Sequence, residues 1–251
     1  MGLVETEALI LRTYNLAEAD KIVVCLTRNA GLIRGVARGS RRIKNRFGAA
    51  LEPFTLLNIT YYQKENQELV SLRQVEIVQS HFDLSRNPET LAGLAYMGDL
   101  VVEFSPPHQS NDRLFRMLKA CLEAVTQGPE ELPSILRYFE IWILRLEGFL
   151  PDVRRCAECH GLFAEGESVF IGAELGFRCR RCAAGRCEIL SKGAFLELCA
   201  AQKMSPQAFA EKSRSVTAET RREIAELTHR LIGRALERQP RVQPTFQSLR
   251  S

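Results

Sequence analysis

The sequence predicts an α+β chain of several domains: an N-terminal β-barrel, an α-helical domain and a small four-cysteine module inserted into the helical part. Three observations predict it. Apolar residues recur in short strand-like runs over residues 5–80, helical spacing takes over from Asn87, and two Cys-x-x-Cys pairs interrupt the helices. With 251 residues the chain has room for two or three small domains, at about 100–200 residues each. Its composition, 45% hydrophobic and 25% charged, is that of a globular chain with a sizeable core.

The barrel comes first. Candidate strands are Glu5–Tyr14, Lys21–Thr27, Leu32–Ala37, Thr55–Gln63 and Leu69–Gln79, rich in Val, Ile, Leu and Tyr. Turn-like stretches at 15–20, 29–31 and 65–68 separate them. Five strands in about 75 residues suit a small closed barrel, and the five-stranded OB-fold is a common oligonucleotide-binding case. An SH3-like barrel fits the strand count nearly as well.

Between the third and fourth strands lies the most unusual stretch of the chain. Arg34, Arg38, Arg41, Arg42, Lys44 and Arg46 fall within 13 residues, and no Asp or Glu occurs from Lys21 to Leu51. Exposed surfaces usually mix charges, so a run of one sign concentrates positive potential. The partner that suits it is a polyanion, foremost a nucleic-acid backbone. A solvated basic loop without a ligand is the plainer alternative. Gly35 and Gly39 allow a turn or a close backbone approach within the run. Tyr61, Tyr62 and Phe54 are candidate base-stacking platforms, with burial the more ordinary fate of such side chains.

Helices follow. Asn87-Pro88 reads as an N-cap with Pro at the first helical position. Ser110 is expected to cap a second helix that stops at Gly128, and Pro133 to open a third that ends at Gly148. Ile135, Leu136, Phe139, Trp142, Ile143 and Leu146 make a wide apolar stripe along the third, which other helices must cover. Ser191–Ala201, Ser205–Lys212 and Thr217–Arg238 are the candidates for that cover, with Ser191 and Ser205 as caps. Arg221, Arg222, Arg230, Arg234 and Arg238 line the outer face of the last: a second phosphate-contacting surface, or a solvated face. The domain limits expected are 1–80 for the barrel, 81–150 with 190–238 for the helical domain, 151–189 for the cysteine module and 239–251 for a flexible tail.

Cys156-Ala-Glu-Cys159 and Cys179-Arg-Arg-Cys182 stand 19 residues apart, the spacing of a structural zinc site. Each pair supplies two corners of a tetrahedron, and four thiolates leave no open position for a water, so the role expected is structural. His160 and Cys187 are nearby substitutes with poorer spacing. Zinc would organise a segment too poor in apolar residues to fold unaided. Arg154, Arg155, Arg178, Arg180 and Arg181 surround the ligands, where they either meet nucleic acid or offset the thiolate charge. The remaining cysteines, Cys25, Cys121, Cys187 and Cys199, read as core packing in a reducing compartment.

Several classes are disfavoured. Asp is scarce and dispersed, so the clustered carboxylates of a metal-dependent nuclease or polymerase are missing. No phosphate-binding P-loop, dinucleotide fingerprint or nucleophile elbow occurs, and the four His lie in unrelated settings. The expectation is therefore binding without catalysis. No apolar run reaches the roughly 18 residues of a membrane span, and Glu5 and Glu7 stand where an export signal would be basic.

In its order of parts the chain resembles the RecO family of bacterial recombination mediators over nearly its whole length. The matching residues are Arg34-Gly-Val-Ala-Arg-Gly-Ser-Arg-Arg42, Leu51-Glu-Pro-Phe54, Arg113-Leu-Phe-Arg-Met-Leu118, and Phe139 through Gly148-Phe149 followed by Cys156-x-x-Cys159. The resemblance implies a non-enzymatic role in recombinational DNA repair: binding single- and double-stranded DNA, annealing complementary strands and assisting recombinase loading. It implies RecR, single-strand-binding protein and, indirectly, RecA as partners, and a cytoplasmic, nucleoid-associated location. Ile43 departs from the small residue or Pro that the family usually has there. An RNA- or ribosome-associated OB-fold protein with a zinc ribbon is the alternative, with a zinc-containing protein scaffold as a third reading.

Overall fold

The computed structural model describes residues 2–16, 18–64, 68–164, 166–172, 174–185 and 187–236. They form two compact units that meet in sequence at Pro129 and Glu130.

In the first unit β1 (Gly2–Leu16), β2 (Asp20–Thr27), β3 (Gly31–Ala37), β4 (Leu56–Gln63) and β5 (Leu69–Gln79) close into a barrel in the order β1-β2-β3-β5-β4. All neighbours are antiparallel except β3 and β5, which run parallel through Arg34–Leu69, Gly35–Val70 and Val36–Ser71. Inward-facing residues from every strand, among them Ala8, Ile10, Val23, Cys25, Ile33, Leu57, Ile59, Tyr61, Val70 and Leu72, make one core. The Val, Ile, Leu and Tyr residues that marked the strands supply most of this filling.

Two helices complete this unit: α1 (Pro88–Phe104) and α2 (Asp112–Gln127). Asn87 caps α1, its Oδ1 accepting from Glu89 N and Thr90 N at 2.9 and 3.1 Å. The cap of α2 is Asn111 and not the expected Ser110: Asn111 Oδ1 accepts from Leu114 N at 3.0 Å, whereas Ser110 Oγ donates to Arg28 O at 3.4 Å. The expected grouping of 81–150 with 190–238 is cut at residue 129, because α1 and α2 are tied to the strands. Gly98 of α1 lies against Leu11, His108 N donates to Leu32 O at 3.0 Å, and Arg28 pairs with both Glu7 and Asp112.

The second unit is built on α3 (Leu132–Leu146), whose apolar stripe is covered by α4 (Lys192–Ala201), α5 (Pro206–Ser213) and α6 (Ala218–Ala235). Trp142 Nε1 donates to Ala201 O at 2.7 Å and Tyr138 Oη to Met204 O at 2.9 Å; Tyr138 and Phe139 are core, while Trp142 is half-buried with Arg145 over its ring. Helix α3 ends in a Schellman motif: Phe149 N donates to Leu144 O at 2.7 Å and Gly148 N to Arg145 O at 3.2 Å, with Gly148 at φ 78°. That turn delivers the chain into the cysteine module. There β6 (Val169–Ile171) pairs with β7 (Phe177–Arg178) and β8 (Glu188–Leu190) in a three-stranded sheet. Arg238 and the expected tail 239–251 lie outside the described residues. Among the described residues no helix is long and apolar enough to cross a membrane.

Candidate nucleic-acid interface and metal centre

Arg34 sits on the outer face of β3, and Arg38, Arg41, Arg42, Lys44 and Arg46 occupy the connection from β3 to β4. All six side chains are solvent-exposed. The connection is long, but it is not loose. Phe47, Ala50 and Leu51 turn inward and join the barrel core, each 3% exposed. Phe54 is buried as well, and its N–H donates to Ile10 O at 2.7 Å beside the bulge in β1. The Leu51-Glu-Pro-Phe54 segment is therefore the apolar anchor that seats the basic loop.

Polar contacts fix the same loop from above. Asp20 Oδ1 accepts from Gly39 N at 2.7 Å, and Arg41 N donates to Ala19 O at 3.0 Å. Asn45 Oδ1 accepts from both Phe47 N and Gly48 N, at 2.9 and 2.7 Å, an Asx turn that leaves Arg42, Lys44 and Arg46 pointing outward. Arg46 Nη2 donates to Leu72 O at 3.2 Å and its guanidinium carbon lies 4.9 Å from the Phe47 ring centroid. Among the described residues no carboxylate pairs with Arg34, Arg38, Arg42, Lys44 or Arg46. Gly35 is required by close approach, since a Cβ there would lie 2.9 Å from Leu72 Cγ. Ile43, the departure from the family pattern, is fully exposed at the loop tip and alters no packing.

Arg73, also exposed, follows Leu72 on β5 and so stands next to Arg46. Sequence reading missed it, because only the strand order brings β5 against β3. Tyr61 and Phe54 are buried and cannot stack on a ligand. The arginines on α6 are largely committed: Arg222 pairs with Glu226, Arg230 with Glu188 and Arg234 with Glu174.

In the second unit Cys156, Cys159, Cys179 and Cys182 converge, their sulfurs all within 4.8 Å of one another. Cys159 Sγ and Cys179 Sγ are 3.8 Å apart. Four sulfurs about 2.3 Å from a central ion would have edges of about 3.8 Å, so the set fits a tetrahedral metal. Each pair sits on a tight turn, closed by His160 N to Cys156 O at 2.9 Å and by Cys182 N to Cys179 O at 3.0 Å. Cys179 N also donates to Cys156 Sγ at 3.4 Å, joining the two turns.

Burial pushes the Cys156 thiol up, but backbone N–H groups of Cys159, Cys179 and Glu158 outweigh it and bring the pKa down to about 6. Backbone donation from Cys182 likewise lowers Cys179. The hydrogen bond with Cys179 in turn raises Cys182, to about 12, since adjacent thiolates oppose one another unless a cation stands between them. Cys25 and Cys121 are buried and apolar, as expected, and burial pushes the Cys25 thiol up to about 12. Cys187 and Cys199 are only half-buried, which corrects their assignment to the core: Cys187 lies immediately before β8, and Cys199 lies in the last turn of α4.

The Recombination protein O N terminal model matches residues 1–81, and the Recombination protein O C terminal model matches residues 85–244. The chain belongs to the RecO family. It is 36% identical over 155 residues to the DNA repair protein RecO of Koribacter versatilis, a match covering 62% of this chain and 63% of that one. It is also 36% identical over 185 residues to the DNA repair protein RecO of Anaeromyxobacter sp. (strain K), covering 74% and 72%. That of Geobacter metallireducens is 37% identical over 154 residues, covering 61% and 62%. The chain thus spans somewhat less than two thirds of two of these relatives and about 72% of the third. The C-terminal match includes all four clustered cysteines.

Proposed function

We propose that this RecO-family chain is a non-enzymatic DNA-binding protein of recombinational repair. It binds single- and double-stranded DNA, anneals complementary strands and assists recombinase loading, with RecR, single-strand-binding protein and, indirectly, RecA as partners. Its place is the cytoplasm, at the nucleoid. The barrel is an OB-fold, a reading supported by the closed order β1-β2-β3-β5-β4 with parallel β3 and β5. The observation that carries the function is the set of six exposed cations, Arg34 on β3 with Arg38, Arg41, Arg42, Lys44 and Arg46 on the anchored loop.

These cations neutralise phosphates along the barrel surface, and backbone neutralisation carries no base readout, so binding is largely sequence-independent. Two strands held in one positive field repel each other less, which is a sufficient physical cause of annealing. Zinc is the ion of the four cysteines: a closed tetrahedral set of thiolates suits it and leaves no site for a reacting water. Its role is to fold the module.

The test is strand annealing by the purified protein, with and without charge reversal at Arg38, Arg41 and Arg42. Annealing and single-strand binding should fall sharply on reversal. With four to six phosphate contacts, log K should fall against log salt with a slope of about −3 to −4. A flat salt response, or a preference for structured RNA over DNA in competition, overturns the reading.

A further inference from the structure

The four-cysteine module carries cations of its own, and the acids among its described residues already have partners. Among the described residues of 151–190, Glu158 pairs with Arg178 at 3.2 Å, Glu174 with Arg234 and Glu188 with Arg230 at 2.6 Å. Asp152 Oδ1 accepts from Arg154 N at 2.8 Å and Glu167 Oε2 from Ala164 N at 2.9 Å. Arg180 and Arg181 stand apart from this accounting: both are exposed, and no described carboxylate pairs with either.

Their position is also unusually fixed. They fill the turn between two metal-ligand positions, Cys179 and Cys182, closed by Cys182 N to Cys179 O at 3.0 Å. A competing explanation is that they offset the negative charge of a four-thiolate centre. The sulfurs, however, already have a backbone donor between the two turns, Cys179 N donating to Cys156 Sγ at 3.4 Å. Amide dipoles of such turns stabilise anionic sulfur without a formal charge. The two guanidinium groups are left to face solvent.

We infer that the Cys179-Arg-Arg-Cys182 turn is a second phosphate-contacting site for single-stranded DNA, separate from the barrel loop and held in shape by the metal. It rests on the reading of this chain as a DNA-binding protein. Guanidinium forks match phosphate oxygens bidentately, and a rigid turn loses little freedom on contact. A second grip on a strand adds effective concentration to the first, which favours holding DNA during annealing.

The experiment compares the full-length, metal-loaded protein with R180Q/R181Q, R180K/R181K and R41Q/R42Q, each checked for metal content. The readout is the salt slope of binding to oligo(dT), with annealing rate beside it. Losing two single-strand phosphate contacts should flatten the slope by about 1.4. R180Q/R181Q should do this with its metal retained, and R180K/R181K should keep the wild-type slope. An unchanged slope in R180Q/R181Q alongside a flatter one in R41Q/R42Q overturns this inference and leaves the barrel reading intact. An unchanged slope in R41Q/R42Q alone counts against the barrel loop and not against this turn. Loss of metal in both R180 double variants marks a structural role and overturns the inference as well.

Discussion

The barrel loop and the cysteine module present arginines in the same way, on tight turns held out to solvent, but they hold those turns by different means. The loop's Arg42, Lys44 and Arg46 are flanked by Phe47, Ala50 and Leu51, which are sunk in a core shared by five strands. The module has only a few inward residues, among them Val169, Ile171, Phe177 and Leu190, and its two turns meet at sulfur. Where apolar burial is plentiful, a hydrocarbon anchor suffices. Where it is scarce, four converging cysteines that could hold a metal ion stand in its place.

Metal removal should separate the two regions most sharply. Structural zinc contributes about 10 kcal/mol or more to folding of small modules. Chelation, or Cys156→Ser, should therefore disorder 151–190 while the barrel keeps its amide protection in hydrogen exchange; loss of protection in both would abolish the distinction. Next in size is Phe47→Ala, which should cost about 3–5 kcal/mol of barrel stability in denaturant unfolding. It should leave the metal content unchanged. A cost near zero would mean that the loop is not seated by its aromatic side chain.

Gly35→Ala comes third. The new methyl group would meet Leu72 in a filled core, at a cost of about 1–3 kcal/mol, read as a lower thermal midpoint with the six exposed cations untouched. The smallest effect concerns pH. Burial lowers the pKa of His81, only partly opposed by Glu123, and the ring's Nδ1 lies 2.9 Å from Thr126 Oγ1. Thr126 Oγ1 itself donates to Leu122 O at 2.9 Å, so it accepts from a neutral, Nδ1-protonated His81. A depressed His pKa means that its contribution is fully present above about pH 6.5 and is lost as pH falls toward the folded value. NMR titration of the His81 ring should give a midpoint below 6.5, and His81→Asn should flatten the acid limb of barrel stability.

Much of both regions could be read from the chain alone, because the signals were local. Runs rich in Val, Ile, Leu and Tyr marked the five strands to within three residues at each end, and two Cys-x-x-Cys pairs marked the four sulfurs that converge, whatever the rest of the fold. What escaped reading depends on contacts distant in sequence. Ser110 and Asn111 are equally good caps in isolation; the neighbouring Arg28 carbonyl takes the serine hydroxyl and leaves the cap to Asn111. Arg73 joins the basic surface only because β5 closes against β3. The α6 arginines read as a free face until their carboxylate partners, Glu174 and Glu188, arrive from the cysteine module.

The Asx turn at Asn45 has a kinetic meaning for the whole family chain. Because the backbone from Arg42 to Gly48 is already settled by Asn45 and by the Phe47 plug, a polyanion captured there, as proposed, would meet a ready-made cradle with only side-chain rotamers left to freeze. Encounter should thus be quick and governed by ionic strength, with no slow rearrangement preceding capture.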